Sequence, residues 1–222
     1  MNKKSIKFLF YVLPSMFFIT LSFNNCGRYG ELQGTSDYAS NSASSEPEAT
    51  TDSEKLGIPY ALLSAEQTMA SMLRVSNVTT VSAALSTEYT NRYGSLAAGN
   101  DLSMANGPLM LGATSLAGEV CNSVLTTEKA QAATARNFFG SVNFTTGVSS
   151  VTDAQFSASV RGMARSYWGR NETAAELAML QTFKSEFITA LAATARTQAA
   201  STSNLMLATC AAMLSSFDAL SY

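Results

Sequence analysis

The stretch that decides the fold is Pro108-Leu109-Met110-Leu111-Gly112-Ala113-Thr114-Ser115-Leu116-Ala117-Gly118-Glu119-Val120-Cys121-Asn122-Ser123-Val124. Leu109, Ala113, Leu116, Val120 and Val124 recur every three or four residues, so in a helix they form one apolar stripe, with Ala117 and Cys121 beside it. Pro108 suits the first turn of such a helix, where its missing N–H costs nothing. The same period governs the chain on both sides. Upstream, Ser64 and Gln67 stand at capping-box spacing before a helix whose apolar face is Met69, Met72 and Leu73. A second helix is predicted through Val81, Leu85, Tyr89 and Tyr93, ending before Gly94. Gly99-Asn100-Asp101 and Asn106-Gly107-Pro108 mark the loop between that helix and the stripe.

Downstream, Thr126 or Thr127 is expected to restart the chain into a short fourth helix through Phe138, stopped near Gly140. Residues Asn143 to Val151, rich in Gly, Ser and Thr, read as a loop. Asp153 is expected to cap a fifth helix with Phe156, Val160, Met163 and Tyr167 inward, stopped by Gly169. Thr173 and Glu176 repeat the capping-box spacing ahead of a long sixth helix through Leu177, Leu180, Phe183, Phe187 and Leu191. A break is expected over Thr197 to Ser203, before a final helix carrying Leu205, Cys210, Met213, Leu214 and Phe217. No window alternates with period two over five or more residues. The reading is an all-α fold, a single globular domain of about seven Ala-rich helices over residues 56–222.

Ahead of that domain the composition changes twice. Lys3, Lys4 and Lys7 precede a nearly unbroken apolar run from Phe8 to Phe23. As a helix that run spans about 24 Å at 1.5 Å per residue, short of a hydrocarbon core of about 30 Å, and Pro14 interrupts it. A basic start and a short apolar stretch read as an export signal over residues 1–25. The junction Phe23-Asn24-Asn25-Cys26-Gly27 resembles the lipobox of bacterial lipoproteins, and in particular such junctions in lipoproteins of Gram-negative predatory bacteria. Asn25 and Phe23 stand where the usual lipobox has a small residue and Leu. The resemblance implies lipidation of Cys26, and Gly27 in place of Asp implies the outer membrane. The alternative is an unlipidated structural cysteine after ordinary signal cleavage. Between Arg28 and Lys55 six acidic residues face two cations with hardly an aliphatic side chain, a composition that cannot offset the entropy of ordering. We expect residues 26–55 to be a lipidated cysteine and a disordered acidic tether. As a coil, 28 residues reach roughly 29 Å.

Composition excludes several functions. The chain has 222 residues, 46% apolar and 14% charged, with a net charge of −2, which argues against nucleic acid as a partner. It has no histidine, which removes Ser-His-Asp and Cys-His nucleophile systems, His-ligated zinc and C-x-x-C-H haem attachment. With Cys26 assigned to lipid, Cys121 and Cys210 remain; in an exported domain two cysteines favour a disulfide over a metal site, the alternative being two buried thiols. Arg161, Arg165 and Arg170 with Trp168 suggest an anion clamp, but pairing with Glu172, Glu176 or Glu186 of the following antiparallel helix explains them better. Glu172 and Glu176, in the first turn of one helix, suit the helix dipole better than a glycosidase cleft. Of the ten methionines, those outside the start, the signal and the loops sit at helical core spacing and read as core filler. We expect no cofactor, no metal and no catalysis.

Three further segments carry a resemblance. Leu62 to Gln67 with Ser71-Met72-Leu73, Ala164-Arg165-Ser166-Tyr167-Trp168-Gly169-Arg170 with Thr173 and Glu176, and Cys210 to Phe217 resemble the helical domains of unknown activity that accompany c-type cytochrome modules in planctomycete and myxobacterial exported proteins. This chain lacks their haem motif and the Pro of their closing helix. The composite expectation is a membrane-anchored envelope lipoprotein with a helical interaction or structural module and an envelope protein as partner. The resemblance implies a second reading, an accessory subunit of a periplasmic redox or c-type cytochrome assembly. A histidine-free hydrolase is a third, though no Ser-x-x-Lys occurs.

Overall fold

Why helices form here is visible at their ends. A computed structural model describes residues 63–96 and 107–220; the export signal, Cys26, the acidic tether and the loop around Gly99-Asn100-Asp101 lie outside them. Helix α1, Ala65–Val75, opens on Ser64: its Oγ accepts the Gln67 N–H at 3.3 Å while its own N–H donates to Gln67 Oε1 at 2.9 Å. It closes on Asn77 at φ 54°, with the Val78 N–H donating to the Leu73 carbonyl at 2.9 Å and the Asn77 N–H to that of Arg74 at 3.2 Å. That is a Schellman ending, with Asn where glycine is commonest. Helix α2, Ala83–Arg92, starts after Val81 because the Ser82 Oγ takes the Leu85 N–H at 3.1 Å. Val81 and Tyr93 are therefore exposed, and only Leu85 of the expected stripe is fully buried.

Helix α3, Gly107–Ala130, buries Leu109, Ala113, Leu116, Ala117, Val120, Cys121 and Val124, the stripe read from the sequence. It does not restart at Thr126 or Thr127. A threonine costs a helix only about 0.7 kcal/mol, and burial of Leu125 with the hydrogen bonds that Glu128 accepts from the following loop outweighs that. Beyond Ala130 the chain makes one 3₁₀ turn, Ala133–Ala135, and a loop, so the expected fourth helix is absent and Phe138 and Phe139 reach the core from non-helical backbone. A second 3₁₀ turn, Val148–Ser150, lies in the 143–151 loop.

Helix α4, Asp153–Tyr167, is capped by Thr152 rather than Asp153: the Thr152 Oγ1 accepts the Gln155 N–H at 3.2 Å, and Asp153 is the first helical residue. Phe156, Val160, Met163 and Tyr167 all face inward. Gly169 at φ 64° lets the chain turn off it. Helix α5, Ala174–Ala190, opens on the Thr173–Glu176 capping box and buries only Leu180 and Lys184. Met179 is 64% exposed, so not every domain methionine fills the core. After Leu191 come a single helical turn, α6 (Ala193–Arg196), then α7 (Ala199–Leu214) and a last turn, α8 (Phe217–Leu220).

The expected break over Thr197–Ser203 is thus confined to its first residues. Ser201, Thr202 and Ser203 are helical and buried because they bond the 143–151 loop and α3. The Val148 N–H donates to Ser201 Oγ at 3.0 Å, Thr202 Oγ1 donates to the Thr146 carbonyl at 2.7 Å, and Lys129 Nζ donates to Ser203 Oγ at 3.1 Å. Gly147 sits so close to the Arg196–Thr197 backbone that only a residue without a β-carbon fits. Helices α3 and α7 form the central pair; α1 and α2 pack on α3, α4 on α7, and α5 on α4. The fold is all-α, with eight helices and no strand among the described residues. Cys121 of α3 and Cys210 of α7 form a disulfide with Cα atoms 5.9 Å apart, joining residues 89 positions apart at the centre of the core. Ala117, buried next to Cys121, keeps the helices close. At one end of the domain the Leu63 N–H donates to the Leu220 carbonyl at 3.0 Å, bringing the two limits of the described chain together.

Candidate functional site

The arginine and carboxylate cluster forms where α4 turns into α5. Gly169 reverses the chain and the Thr173 cap starts the next helix, so residues 161–176 are brought back on themselves. Arg161 Nε donates to Glu172 Oε1 at 3.0 Å. Arg170 donates to both oxygens of Glu176, at 2.9 and 2.6 Å, and also to Asp218 of α8. Arg165 Nε donates to the side-chain oxygen of Asn171 at 2.7 Å, an amide rather than a carboxylate. Glu186 takes no part in an ion pair among the described residues. Trp168 Nε1 donates to the Met213 carbonyl at 3.1 Å and to Ser216 Oγ at 2.8 Å, while Arg170 lies 5.1 Å from the ring centre. The corner therefore latches α4, α5 and α8 to the end of α7.

Electrostatics follows the pairing. The Arg170 guanidinium, aided by the Thr173 N–H, holds the Glu176 carboxyl well below its ordinary 4.5, at about 2. Glu172 is different: its side chain is 4% exposed, one oxygen meets Arg161, and the other is buried with no hydrogen bond. With each carboxylate tied to its own arginine on one side of a turn, this pair does not flank a cleft as acid and nucleophile must. Elsewhere Lys184, almost wholly buried, reaches the exposed Asp153 at 2.8 Å and lowers its pKa.

A second constellation surrounds the C-terminal end of α3. The buried Glu128 carboxylate accepts the backbone N–H groups of Asn137, Phe138 and Phe139 at 2.9 to 3.3 Å. Arg136 runs the other way, donating to the carbonyls of Glu128 at 2.8 Å, Gln131 at 3.3 Å and Val142 at 2.9 Å, which satisfies the open end of the helix. Phe144 packs beneath it, with the Arg136 guanidinium 5.2 Å and the Lys129 ammonium 5.9 Å from its ring centre and Phe139 edge-on at 5.8 Å. Nothing in the sequence singles out Glu128 or Arg136, because their partners are main-chain groups that every sequence carries.

This loop forms one wall of a cleft of about 300 Å³; the turn after α1 and the last turns of α3 form the others. Asn77, Thr79, Thr80, Thr127, Gln131 and Asn137 line it, above Val78 and Val124. These are hydrogen-bonding groups without a nucleophile–base pair. Cys121 and Cys210 lie apart from it in the core, where the Tyr167 phenol stands 3.3 Å from the Cys210 sulfur and burial pushes its pKa up. Among the described residues no three His, Cys, Asp or Glu side chains are grouped to hold a metal ion, and no helix is long and apolar enough to cross a membrane. No protein-family model, curated protein or solved structure matches the chain.

Proposed function

We propose that the protein is an envelope lipoprotein, held in the outer membrane by acyl chains on Cys26, whose helical domain acts as an interaction or structural module. The observation that carries this reading is Cys26 placed three residues behind the sub-spanning apolar run Phe8–Phe23, itself preceded by Lys3, Lys4 and Lys7. The Cys121–Cys210 disulfide supports it, since such bonds form and persist in oxidising compartments outside the cytoplasm. The pairing of Arg161, Arg165 and Arg170 with Glu172, Asn171, Glu176 and Asp218 supports a structural rather than a chemical role for the charged corner. Two or more acyl chains would make the anchor stable, at about 0.8 kcal/mol per buried methylene.

Mass spectrometry of the mature N-terminal peptide tests the anchor. A peptide beginning at Cys26 with acyl mass is expected; an unmodified Cys26, or cleavage elsewhere, overturns it. Crosslinking in the native envelope identifies the partner, and recovery of c-type cytochromes would favour the accessory reading instead.

A further inference from the structure

We infer that the cleft between the turn after α1 and the end of α3 binds a neutral, hydroxyl-rich ligand, a sugar unit. The inference goes beyond the anchored-module reading and does not depend on lipidation. Its volume, about 300 Å³, lies at the small end of ligand pockets and suits one ring rather than an extended chain.

The chemistry of the lining selects the class. Asn77, Thr79, Thr127, Gln131 and Asn137 line it, with no hydrogen bond from their side chains to another described residue. Hydroxyls and amides each both donate and accept, as sugar hydroxyls do, so either partner can rotate to suit the other. Val78 and Val124 offer a small apolar floor for the C–H face of a ring. Among the described residues Glu128 is the one charged lining residue, and both of its oxygens are already taken by the N–H groups of Asn137, Phe138 and Phe139. Among the described residues no Lys or Arg lines the cleft to reward an anionic ligand. A peptide is a poorer fit: extended peptides are captured by strand edges, whereas the α3 wall has its backbone groups bonded within the helix.

The two walls are also held in place before any ligand arrives. The Schellman ending fixes Asn77 in the left-handed region, and the Glu128 clasp fixes the backbone of Asn137. Such preorganisation lowers the entropy lost on binding.

The test is backbone-amide chemical-shift titration of the full chain in a zwitterionic detergent free of sugar. The probes are glucose, N-acetylglucosamine and their disaccharides, with glucuronate and a capped neutral tripeptide as the other arms. Saturable shifts confined to residues 77–80, 123–131 and 137 are expected with at least one neutral sugar. Thr127→Val and Asn137→Ala, both at exposed positions, should each weaken that binding by about tenfold, the loss of one good hydrogen-bonded contact, while Met179→Ser leaves it unchanged. Unchanged shifts outside the cleft show that the variants remain folded. The inference is overturned if no neutral sugar shifts these amides, if glucuronate or the tripeptide binds in their place, or if the two cleft variants bind as the parent does.

Discussion

Glu176 does two things with one carboxylate: it returns the capping-box bond to the Thr173 N–H at 2.7 Å and takes both donors of Arg170. Glu176→Gln keeps the first and removes the charge of the second, because Gln also closes a capping box. The folded pKa, about 2, lies below the ordinary 4.5, so the charge stabilises the fold above pH 4.5 and loses that effect as the pH falls towards 2. At pH 7 the variant should melt about 2–4 °C below the parent, the shift that 1 kcal/mol makes in a domain of this size. The two melting curves should converge as the pH falls from 4.5 to 2; a difference that persists at pH 2 would mean the carboxylate acts through shape. Gly147 supplies the second residue-scale prediction. A β-carbon there would overlap the Arg196 carbonyl oxygen and the Thr197 Cα, both backbone atoms that cannot swing aside. Gly147→Ala should cost about 1–3 kcal/mol or more in chemical denaturation. The sequence identified Arg161, Arg170, Glu172 and Glu176 as partners because they are near in sequence and opposite in sign. It did not identify Asp218 or Asn171, since one lies 48 residues from Arg170 and the other carries no charge.

At the scale of an element, the loop after α3 is held by side chains that replace secondary structure. Glu128 closes it from the helix side, and Arg136 closes the helix from the loop side. Glu128→Ala would leave the N–H groups of Phe138 and Phe139 buried without acceptors, at about 1–3 kcal/mol for each unsatisfied donor. Hydrogen exchange should show the 137–139 amides losing protection well before those of α4 and α7; equal protection in variant and parent would show that the loop is held by Phe139 and Phe144 packing alone. The helices themselves were legible from their apolar period, and the caps at Ser64 and Thr173 from their capping-box spacing, whereas Ser82 was not singled out and Asp153 stands one residue past the true cap, Thr152. Two boundaries were not legible. Thr126 and Thr127 look like a restart but lie in a helix held by burial on either side, at Val124, Leu125 and Glu128. Ser201 to Ser203 look like a linker, yet their hydroxyls bond the 143–151 loop and Lys129, partners that local patterning does not contain.

For the whole molecule the disulfide matters most, because it ties the central helix pair covalently. It closes a loop of 89 residues, worth at most about 4–5 kcal/mol in the chain-entropy model against about 5–15 kcal/mol for a domain's total stability. Cys121→Ser should lower the melting temperature markedly in air and hardly at all in reductant, where the parent has lost the bond as well; equal melting in air would show that α3 and α7 need no bridge. The pairing has a mechanical consequence too. The limits of the described chain, Leu63 and Leu220, are joined by a backbone hydrogen bond, so a pull between them loads that contact first. Unravelling then stops at the covalent link, and residues 122–209 contribute nothing to the extension until it is reduced. Under load between Leu63 and Leu220 the bond sets a fixed maximum length.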